Sequence, residues 1–323
     1  MRILRPHGLI GTAVAVVLLA VAGCSGGGSD DAAGGAFAKV STKFGEITIP
    51  SEPKRVVALG WGDAETALAL GVEPVGASDW LAFGGDGLGP WATGRYQQAP
   101  KKIGTLEPEY EQIAALEPDL ILDTKSSGDQ IRYDTLKAIA TTVGVPTGGD
   151  SYKLSWEQQT EMVAAALGRV EQGRKLIAET KERFAKTVAA NPEFAGKTIV
   201  LGSRTSEGYG AYVNGTGRVD FVERLGFTNS PKVQALATSG FSIKISQEKL
   251  DLLDADLTVM APIGVDAAKI TGDPLFQKVP SVKAGRVVVF TDKTLSSAFA
   301  TDSILSIGYA LDKVVPLFAT ALR

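Results

Sequence analysis

The chain has 323 residues, of which 44% are hydrophobic and 21% charged, and its formal net charge is −3. This length exceeds what one hydrophobic core usually supports, so the sequence predicts an ordinary globular protein with two domains. The acidic balance and the lack of a long basic run argue against nucleic acid as a partner.

The first segment of the chain is predicted to be a targeting signal. Arg2 and Arg5 precede the apolar stretch LIGTAVAVVLLAVAG (9–23), which is short for a membrane span. VAGC (21–24) matches the bacterial lipoprotein box, and this resemblance implies a signal peptide over 1–23 and a diacylglycerol on Cys24. The alternatives are an ordinary signal peptide with a chance cysteine, or a signal anchor. Residues 24–40 are polar and rich in glycine, which predicts a flexible tether.

Removal of this signal peptide limits the chemistry of the mature protein. His7 is the only histidine, and Cys24 is the only cysteine. Catalysis by Ser-His-Asp or Cys-His groups is therefore excluded, as are zinc sites of His and Cys and haem ligated by His. A disulfide within the monomer is excluded as well, because acylation uses the one sulfur.

Strand and helix patterns alternate over 41–165, which is predicted to be the N-terminal lobe. RVVAL (55–59) is typical of a buried parallel strand. The pattern continues with predicted helices over 64–70, 110–116 and 130–143 and predicted strands over 73–77 and 119–123. The last helix would bury Ile131, Leu136, Ile139 and Val143. This order predicts βαβ units in a parallel sheet with helices on both faces.

The second half, 193–323, repeats the alternation and is predicted to be the C-terminal lobe. Predicted strands cover 197–202, 256–260 and 286–290, and predicted helices cover 219–225, 274–279 and part of 300–322. EYEQIAALEPDLIL (109–122) and SQEKLDLLDADLTV (246–259) match in residue type, with Glu111 on Glu248 and Asp119 on Asp256. The sequence therefore predicts a similar helix, acid and strand in each lobe.

A helical segment separates the two halves. Apolar residues recur at helical spacing over 155–194, with an interruption near Gly168. The second helix of this segment, within 166–192, would have about 20 residues and span about 30 Å. Such a helix can bridge two lobes rigidly, and the alternative is that it packs on one sheet only.

These features together resemble the substrate-binding proteins of bacterial iron–siderophore ABC importers. The resemblance rests on the order and spacing of PKRVVAL, LGVEPVGAS, KIGTLEPEYEQIAALEPDLIL, ISQEKLDLLDADLTVM and DPLFQKVPSVKAGRVVVFTD. It implies an α/β protein of two Rossmann-like lobes with mostly parallel sheets, joined by one long α-helix. It also implies a monomeric, non-enzymatic receptor without a cofactor, anchored by lipid to the outer face of the cytoplasmic membrane. Such a receptor binds a ferric siderophore between its lobes and delivers it to an ABC permease.

The resemblance assigns a role to the repeated glutamates. In that family an exposed Glu on each lobe docks on one of two permease subunits, and Glu111 and Glu248 are at the matching positions. A permease dimer with two-fold symmetry requires two similar acidic points. The alternative is that each Glu only complements the dipole of its helix.

The predicted ligand site follows from the rule that open α/β sheets bind ligands beyond the carboxyl ends of their strands. Large aromatic residues in glycine-rich loops are good candidates for ligand walls, and arginines can donate to the anionic oxygens of a chelator. The candidates after strand ends are Trp61, Trp80, Trp91, Arg95, Tyr96, Arg204, Tyr209, Tyr212 and Phe241.

Alternatives remain for several of these candidates. Trp61 and Trp91 could pack beneath loops, and Tyr212 could belong to the core. Arg132 is interpreted as a surface charge of its helix. The protein need not supply metal ligands, because a siderophore already coordinates the iron fully.

Two other functions remain open at this stage. The same lobes could hold a corrinoid or haem, although only Tyr or Met could then ligate haem iron. A secreted hydrolase with a carboxylate pair is the alternative from a different class. GGDGLG (84–89) lacks the GxxxxGK[ST] pattern, so a P-loop is excluded there.

Overall fold

The computed structural model describes residues 35–104 and 106–323. The predicted signal peptide, Cys24 and most of the predicted tether lie outside the described residues. The fold begins with a hairpin of two antiparallel strands, β1 (Ala38–Thr42) and β2 (Gly45–Ile49). Val40 and Ile49 of this hairpin are buried in the core of the N-terminal lobe. The last residues of the segment predicted as a tether, from Ala38 on, therefore belong to the folded part.

The N-terminal lobe is built on a parallel sheet of five strands in the order β5-β4-β3-β6-β7. Its strands are β3 (Val56–Ala58), β4 (Gly76–Ser78), β5 (Lys101–Ile103), β6 (Leu120–Leu122) and β7 (Thr141–Val143). Its helices are α1 (Asp63–Ala69), α2 (Tyr110–Ala115), α3 (Gln130–Lys137) and α4 (Trp156–Ala166). The central strands β3 and β6 are fully buried, as their continuous apolar sequence predicts for a sheet covered on both faces.

The predicted helix over 130–143 is wrong in its second half. The helix α3 ends at Lys137, and Thr141–Val143 form β7, which pairs in parallel with β6. The β-branched residues of this segment fit a strand better than a helix, and pairing with β6 satisfies their backbone groups. Ile131, which was predicted to face the core, is 77% exposed.

The helix α5 (Val170–Ala190) follows α4 and has 21 residues, as the sequence predicts. Gly168 separates the two helices with a φ of 65°, a conformation that glycine adopts without strain. Ile177 and Phe184 pack in the core of the C-terminal lobe, and Leu176 contacts the cores of both lobes. No helix in the described part of the chain combines the length and apolar character needed to cross a membrane.

The C-terminal lobe contains a mixed sheet of six strands. The main order is β11-β9-β8-β12-β13, and β10 pairs with β8. Its strands are β8 (Thr198–Thr205), β9 (Gly208–Tyr212), β10 (Thr228–Asn229), β11 (Ser242–Ile245), β12 (Leu257–Pro262) and β13 (Val287–Val289). Its helices are α6 (Gly217–Arg224), α7 (Pro231–Gln234), α8 (Ala268–Thr271), α9 (Pro280–Lys283), α10 (Lys293–Thr301), α11 (Ser306–Lys313) and α12 (Val315–Ala321).

The second sheet is mixed because of β9. This strand runs antiparallel to both β8 and β11. Only Ser206 and Glu207 lie between β8 and β9, and so short a connection can join only antiparallel strands. The sheet is parallel where β8, β10, β12 and β13 pair, so the fold remains that of two α/β lobes with mostly parallel sheets.

The repeated aspartates have the same structural role in the two lobes. Asp119 precedes β6 and accepts hydrogen bonds from the backbone N–H groups of Lys54 and Arg55 at 2.7 and 2.9 Å, just before β3. Asp256 precedes β12 and accepts from the backbone N–H of Thr198 at 2.8 Å and from its hydroxyl at 2.9 Å, at the start of β8. Each carboxylate thus ties the amino ends of two neighbouring central strands, and these bonds lower the pKa of Asp256.

Replacement of Asp256 by Ala is expected to lower the unfolding free energy by about 1 kcal/mol, because two charge-assisted hydrogen bonds at a partly exposed site are lost. Asp119→Ala should have a similar effect, and the double variant should lose about the sum, since the residues lie in different sheets. Chemical denaturation measures all three. Asp251→Ala, an exposed acid of the same lobe, is the control, and an equal loss in that variant would contradict the assigned role.

Candidate functional site

A buried carboxylate organises the carboxyl ends of β3 and β6. Asp63, at the start of α1, accepts hydrogen bonds from the N–H of Gly60 at 3.1 Å and the N–H of Thr124 at 2.9 Å. It also accepts from the amide of Gln159 at 2.7 Å and from the hydroxyl of Thr124. A Cβ at Gly60 would collide with Asp63, so glycine is required for this approach. Asp63 thereby fixes the two segments that carry Trp61 and Lys125.

Burial raises the pKa of Asp63 to about 6, although its hydrogen bonds act in the opposite direction. The carboxylate of Asp63 is fully buried, so it positions the neighbouring segments and offers no surface to a ligand. The side-chain amide of Gln159 that donates to Asp63 also donates to the carbonyl of Trp61, at 2.8 Å. The backbone N–H of Trp61 in turn donates to the carbonyl of Lys125 at 2.9 Å. The ends of two parallel strands are therefore cross-linked at the edge of the sheet.

Five aromatic side chains from both lobes meet beside this edge and are called the aromatic cluster: Trp61, Trp80, Tyr152, Tyr212 and Phe241. The ring of Trp61 lies between Trp80, with centroids 4.3 Å apart, and Tyr152, at 4.0 Å. Phe241 of the C-terminal lobe contacts Trp61 and Tyr152 edge-on, each at 6.2 Å, and stacks with Tyr212 at 6.5 Å. The cluster thus joins the two lobes through stacked and edge-on contacts.

A small cavity adjoins the aromatic cluster between the lobes. Its walls come from both lobes and comprise Trp61, Lys125, Tyr152, Tyr212, Thr216, Gly217, Arg218, Phe241, Ala300 and Thr301. Its free volume is about 20 Å³, room for about one water molecule. The lining side chains therefore leave little free space in this cavity.

The charged groups of the cavity wall are Lys125 and Arg218. The ammonium of Lys125 forms an ion pair with Asp302 of the opposite lobe at 2.9 Å, and both side chains are almost fully buried. The guanidinium of Arg218 lies 4.4 Å above the ring of Tyr212. Within the described residues it has no ion pair or hydrogen bond. Within residues 35–104 and 106–323, the cavity wall therefore combines apolar rings with a cation in an ion pair, Lys125, and a cation without one, Arg218.

A second polar contact between the lobes surrounds Glu65 of α1. Its carboxylate accepts from the indole N–H of Trp91 at 2.9 Å and from the hydroxyl of Ser303, which follows α10. Trp91 also packs against Tyr309 of α11, with centroids 5.7 Å apart. Burial raises the pKa of Glu65 to about 7, whereas both hydrogen bonds and the charge of Arg95 act to lower it. Trp91 thus closes a junction between the lobes, outside the cavity wall.

The remaining candidates lie apart from the cavity. Arg95 is exposed, and Tyr96 is half-buried with a hydroxyl that has no partner within the described residues. Arg204, at the end of β8, lies 4.9 Å above the ring of Tyr209. Tyr209 is buried and donates its hydroxyl to Asp273 at 2.9 Å. Of the nine predicted ligand residues, the structure brings Trp61, Trp80, Tyr212 and Phe241 together.

Three residues of this site were not predicted. Lys125 follows β6 and Tyr152 follows β7, so the rule of strand carboxyl ends would have found both. Arg218 is the second residue of α6, directly after the loop that follows β9. The interpretation of Arg132 as a surface charge is wrong, because its guanidinium is buried and forms a bidentate pair with Asp123 at 2.6 and 2.8 Å.

The two repeated glutamates are exposed in the structure. Glu111 lies in the first turn of α2, and Glu248 lies in the 3₁₀ turn Gln247–Leu253 of the other lobe. Neither carboxylate has an ion pair or side-chain hydrogen bond within the described residues. Residues 35–104 and 106–323 also contain no group of three or more His, Cys, Asp or Glu side chains arranged to hold a metal ion.

Replacement of Glu65 by Gln is expected to flatten the pH dependence of stability. The folded-state pKa near 7 exceeds the ordinary value of 4.5, so the folded protein binds more protons between these pH values. Its unfolding free energy should therefore fall as the pH rises through this window, by roughly 3 kcal/mol from this group. Glutamine removes that contribution and should raise stability at pH 7. Denaturant titrations at pH 5 and pH 7 measure the difference.

The exposed Glu161→Gln in α4 is the control for this prediction. It should leave the difference in unfolding free energy between the two pH values unchanged. An unaltered pH dependence in Glu65→Gln would show that the buried carboxylate does not titrate in this range.

Comparison with known proteins identifies a family and several relatives. The family model described as periplasmic binding protein matches residues 56–294. The probable siderophore-binding lipoprotein YfiY of Bacillus subtilis is 28% identical over 84% of this chain and 84% of its own length. The Fe(3+)-citrate-binding protein YfmC of the same organism is 27% identical over 85% of this chain and 87% of its own.

Solved structures show the same fold. PiaA of Streptococcus pneumoniae, solved in complex with ferrichrome, has a TM-score of 0.75 and 25% identity, covering 88% of this chain and 98% of its own. A periplasmic solute binding protein of Mycobacterium smegmatis has a TM-score of 0.74 and 27% identity, covering 88% and 99%. The two lobes, the long helix between them and the matched residues together establish that this chain belongs to the periplasmic binding protein family.

Proposed function

We propose that this protein is a lipid-anchored, extracytoplasmic receptor that binds a ferric siderophore between its lobes and delivers it to an ABC permease. The observation that carries this proposal is the aromatic cluster with cations beside it, at the carboxyl ends of the strands and between the two lobes. Aromatic rings suit the apolar periphery of a chelator, and cations suit its anionic oxygens. The curated relatives include proteins named for siderophore and Fe(3+)-citrate binding.

An iron chelate fits this site better than a bare metal ion does. A protein that holds a ferric ion itself needs several oxygen or nitrogen ligands around one point. The acids nearest the cavity are engaged otherwise, since Asp302 pairs with Lys125 and Asp63 accepts hydrogen bonds from backbone and side chains. A siderophore brings its own iron ligands, so the protein contributes only shape, aromatic surface and charge.

We expect movement on binding. A drug-sized ligand occupies a pocket of roughly 300–1,000 Å³, whereas the free volume of the cavity beside the aromatic cluster is about 20 Å³. Phe241 is 37% exposed and comes from a loop, so its ring can turn away from Trp61 and Tyr152. The contacts of α5 with both cores favour local rearrangement of the rings and a small change in lobe angle over a wide hinge motion.

The buried carboxylates do not support the hydrolase alternative. Asp63 and Glu65 both accept hydrogen bonds that hold protein segments together, and neither side chain lines the cavity. The family consists of substrate-binding proteins of transport systems. A corrinoid or haem remains a competitor only as another bulky ligand for the same cleft, and direct titration distinguishes it.

Tryptophan fluorescence of the full chain, titrated with ferric citrate, a ferric catecholate, ferrichrome, ferrioxamine B, haem and cobalamin, tests the proposed ligand class. Saturable quenching by a ferric chelate is expected, because Trp61 and Trp80 lie in the cluster that the ligand must contact. Trp61→Ala should weaken that affinity about tenfold or more through the loss of aromatic contact. Saturation only by haem or cobalamin would transfer the function to those ligands, and no response to any would refute a role in binding.

The second part of the proposal is docking on a permease through Glu111 and Glu248. Both carboxylates are exposed and have no ion pair or side-chain hydrogen bond in the part of the chain that the structure describes, and they lie at matching positions of the two lobes. Charge pairs at the rim of an interface set register and speed association. The lipoprotein names of relatives support an anchor on Cys24, which would keep the receptor near its permease.

Reversal of both charges, Glu111→Lys with Glu248→Lys, is expected to leave ligand affinity unchanged and to lower iron uptake by cells at least tenfold. The family resemblance implies an arginine-lined pocket on each permease subunit, and like charges at an interface cost several kcal/mol. Uptake of radioactive iron supplied as the bound chelate measures this effect. The matched control reverses two other exposed and unpaired acids, Glu161→Lys with Glu193→Lys. Normal uptake in the first variant, or equal loss in both, would refute the docking role.

A further inference from the structure

Glu65 links the two lobes through a single carboxylate oxygen. Its Oε2 accepts a hydrogen bond from the indole N–H of Trp91 at 2.9 Å, within the N-terminal lobe, and another from the hydroxyl of Ser303 in the C-terminal lobe. The ring of Trp91 also packs against Tyr309 of α11 in the C-terminal lobe, with centroids 5.7 Å apart. The same carboxylate therefore supports a hydrogen bond and an aromatic contact that both cross between the lobes.

This carboxylate has no cation paired with it within the described residues. Glu65 is 5% exposed, whereas Arg95, whose charge acts on it, is exposed and forms no ion pair in the same part of the chain. Tyr96 also interacts with Glu65, and burial raises the pKa of that phenol, so it stays neutral. The buried side chains of α4, against which α1 packs, are neutral as well. An ionised Glu65 is thus a buried charge without a counter-charge, which is costly.

The other buried acids near the junction have partners of their own. Asp63, also in α1, accepts hydrogen bonds from Thr124 and Gln159, all within the N-terminal lobe. Asp302, which precedes Ser303, pairs with Lys125 at 2.9 Å. Neither acid shares the two donors that meet at Glu65, so the protonation of Glu65 decides the charge at this junction.

A protonated Glu65 suits the junction better than an ionised one. A proton on Oε1 removes the buried charge, and Oε2 can still accept both hydrogen bonds as the carbonyl oxygen of the acid. The hydroxyl of Ser303 accepts from the backbone N–H of Ser306 at 3.1 Å, so its own proton is left to donate to Glu65. Loss of the proton from Glu65 creates a charge that only water can solvate, and water reaches it when the junction parts.

We propose that Glu65, Trp91 and Ser303 form a proton-controlled latch between the lobes, closed while Glu65 carries a proton and opened when that proton is lost. The latch is a property of the protein without ligand, and its effect on ligand entry rests on the proposed function. The cavity beside the aromatic cluster has a free volume of about 20 Å³, so a bulky chelate should enter faster when the latch is open.

The direction of the pH effect follows from the two states of the latch. Burial raises the pKa of Glu65 to about 7 in the closed latch, whereas a carboxyl in contact with water has the ordinary value of 4.5. The closed latch therefore binds more protons. Its advantage is complete below about pH 4.5 and is lost as the pH rises to about 7. The ratio of closed to open molecules should fall by up to about 300-fold across this window.

Hydrogen exchange of the Trp91 indole N–H, followed by NMR of the full chain labelled with ¹⁵N-tryptophan, tests the latch without any ligand. Trp91→Phe assigns the signal, and free tryptophan at each pH gives the unprotected rate. Protection should fall at least tenfold between pH 5 and pH 7.5, because opening exposes the indole. Glu65→Gln, which keeps an uncharged acceptor, should hold protection constant within about twofold. Ser303→Ala should show low protection at both pH values, because it loses the hydrogen bond between the lobes.

Glu161→Gln, an exposed acid of α4, is the matched control and should behave as the unaltered chain does. Constant protection in the unaltered chain, or an equal fall in Glu65→Gln, would overturn the proposal. If Glu65→Gln does not fold, the unaltered chain and Ser303→Ala decide, since high protection at pH 5 in Ser303→Ala would also contradict the latch.

The effect on ligand entry is measured by stopped-flow quenching of tryptophan fluorescence with ferrichrome and with ferric citrate. The association rate of the unaltered chain, divided by that of Glu65→Gln for the same chelate, should rise at least fivefold from pH 5 to pH 7.5. Division by the variant cancels any protonation of the chelate itself. An unchanged ratio would refute control of entry by the latch. A chain that binds none of the titrated ferric chelates would refute the proposed function, while the indole exchange would still decide whether the latch exists.

Discussion

The buried ion pair between Lys125 and Asp302 is the interaction on which the cleft depends. It joins the end of a central strand in one lobe to the end of α10 in the other, at 2.9 Å and almost without contact with water. Removing these two charges from water costs free energy, and only close pairing offsets that cost. The pair therefore holds the lobes at the separation that its contact requires. Asp63 helps to position this pair, because its carboxylate accepts a hydrogen bond from the N–H of Thr124 and so fixes the segment that carries Lys125.

The aromatic cluster turns this fixed separation into a surface that can accept a ligand. The backbone of Trp61 donates to the carbonyl of Lys125 and accepts from the side-chain amide of Gln159. The central ring of the stack is therefore attached to the segment that carries the ion pair. Phe241 and Tyr212 belong to the other lobe, and their contacts with each other and with Trp61 close the space. The ion pair and the junction at Glu65 join the same two lobes beside the cluster.

The internal repeat serves two different physical purposes. Asp119 and Asp256 bond the backbone at the start of neighbouring strands, so each lobe needs its own copy to hold its sheet. Glu111 and Glu248 lie near them in sequence but form no contact that stabilises the fold within the described residues. Each copy of the segment thus contains an Asp that bonds to the sheet and a Glu that is exposed. Because the segment occurs once in each lobe, the surface carries two similar glutamates.

The sequence by itself determined the two α/β lobes, the helix α5 and the strands β3, β6, β8, β12 and β13, because these depend on local hydrophobic periodicity and on glycine stops. It also predicted that Trp61 and Trp80 lie at one edge of the first sheet, since residues after neighbouring parallel strands share one edge. Tyr212 and Phe241 flank the antiparallel strands β9 and β11, so only the tertiary structure decided their contact with Trp61. Only the tertiary structure decided that Thr141–Val143 form a strand, because pairing with β6 outweighs helical pattern. The tertiary structure alone decided that Arg132 is buried against Asp123 and that Lys125 pairs with Asp302. It alone also decided that Arg218 has no ion pair within the described residues. The partners of a charged side chain are set by contacts between distant segments, and local sequence patterns contain no information about them.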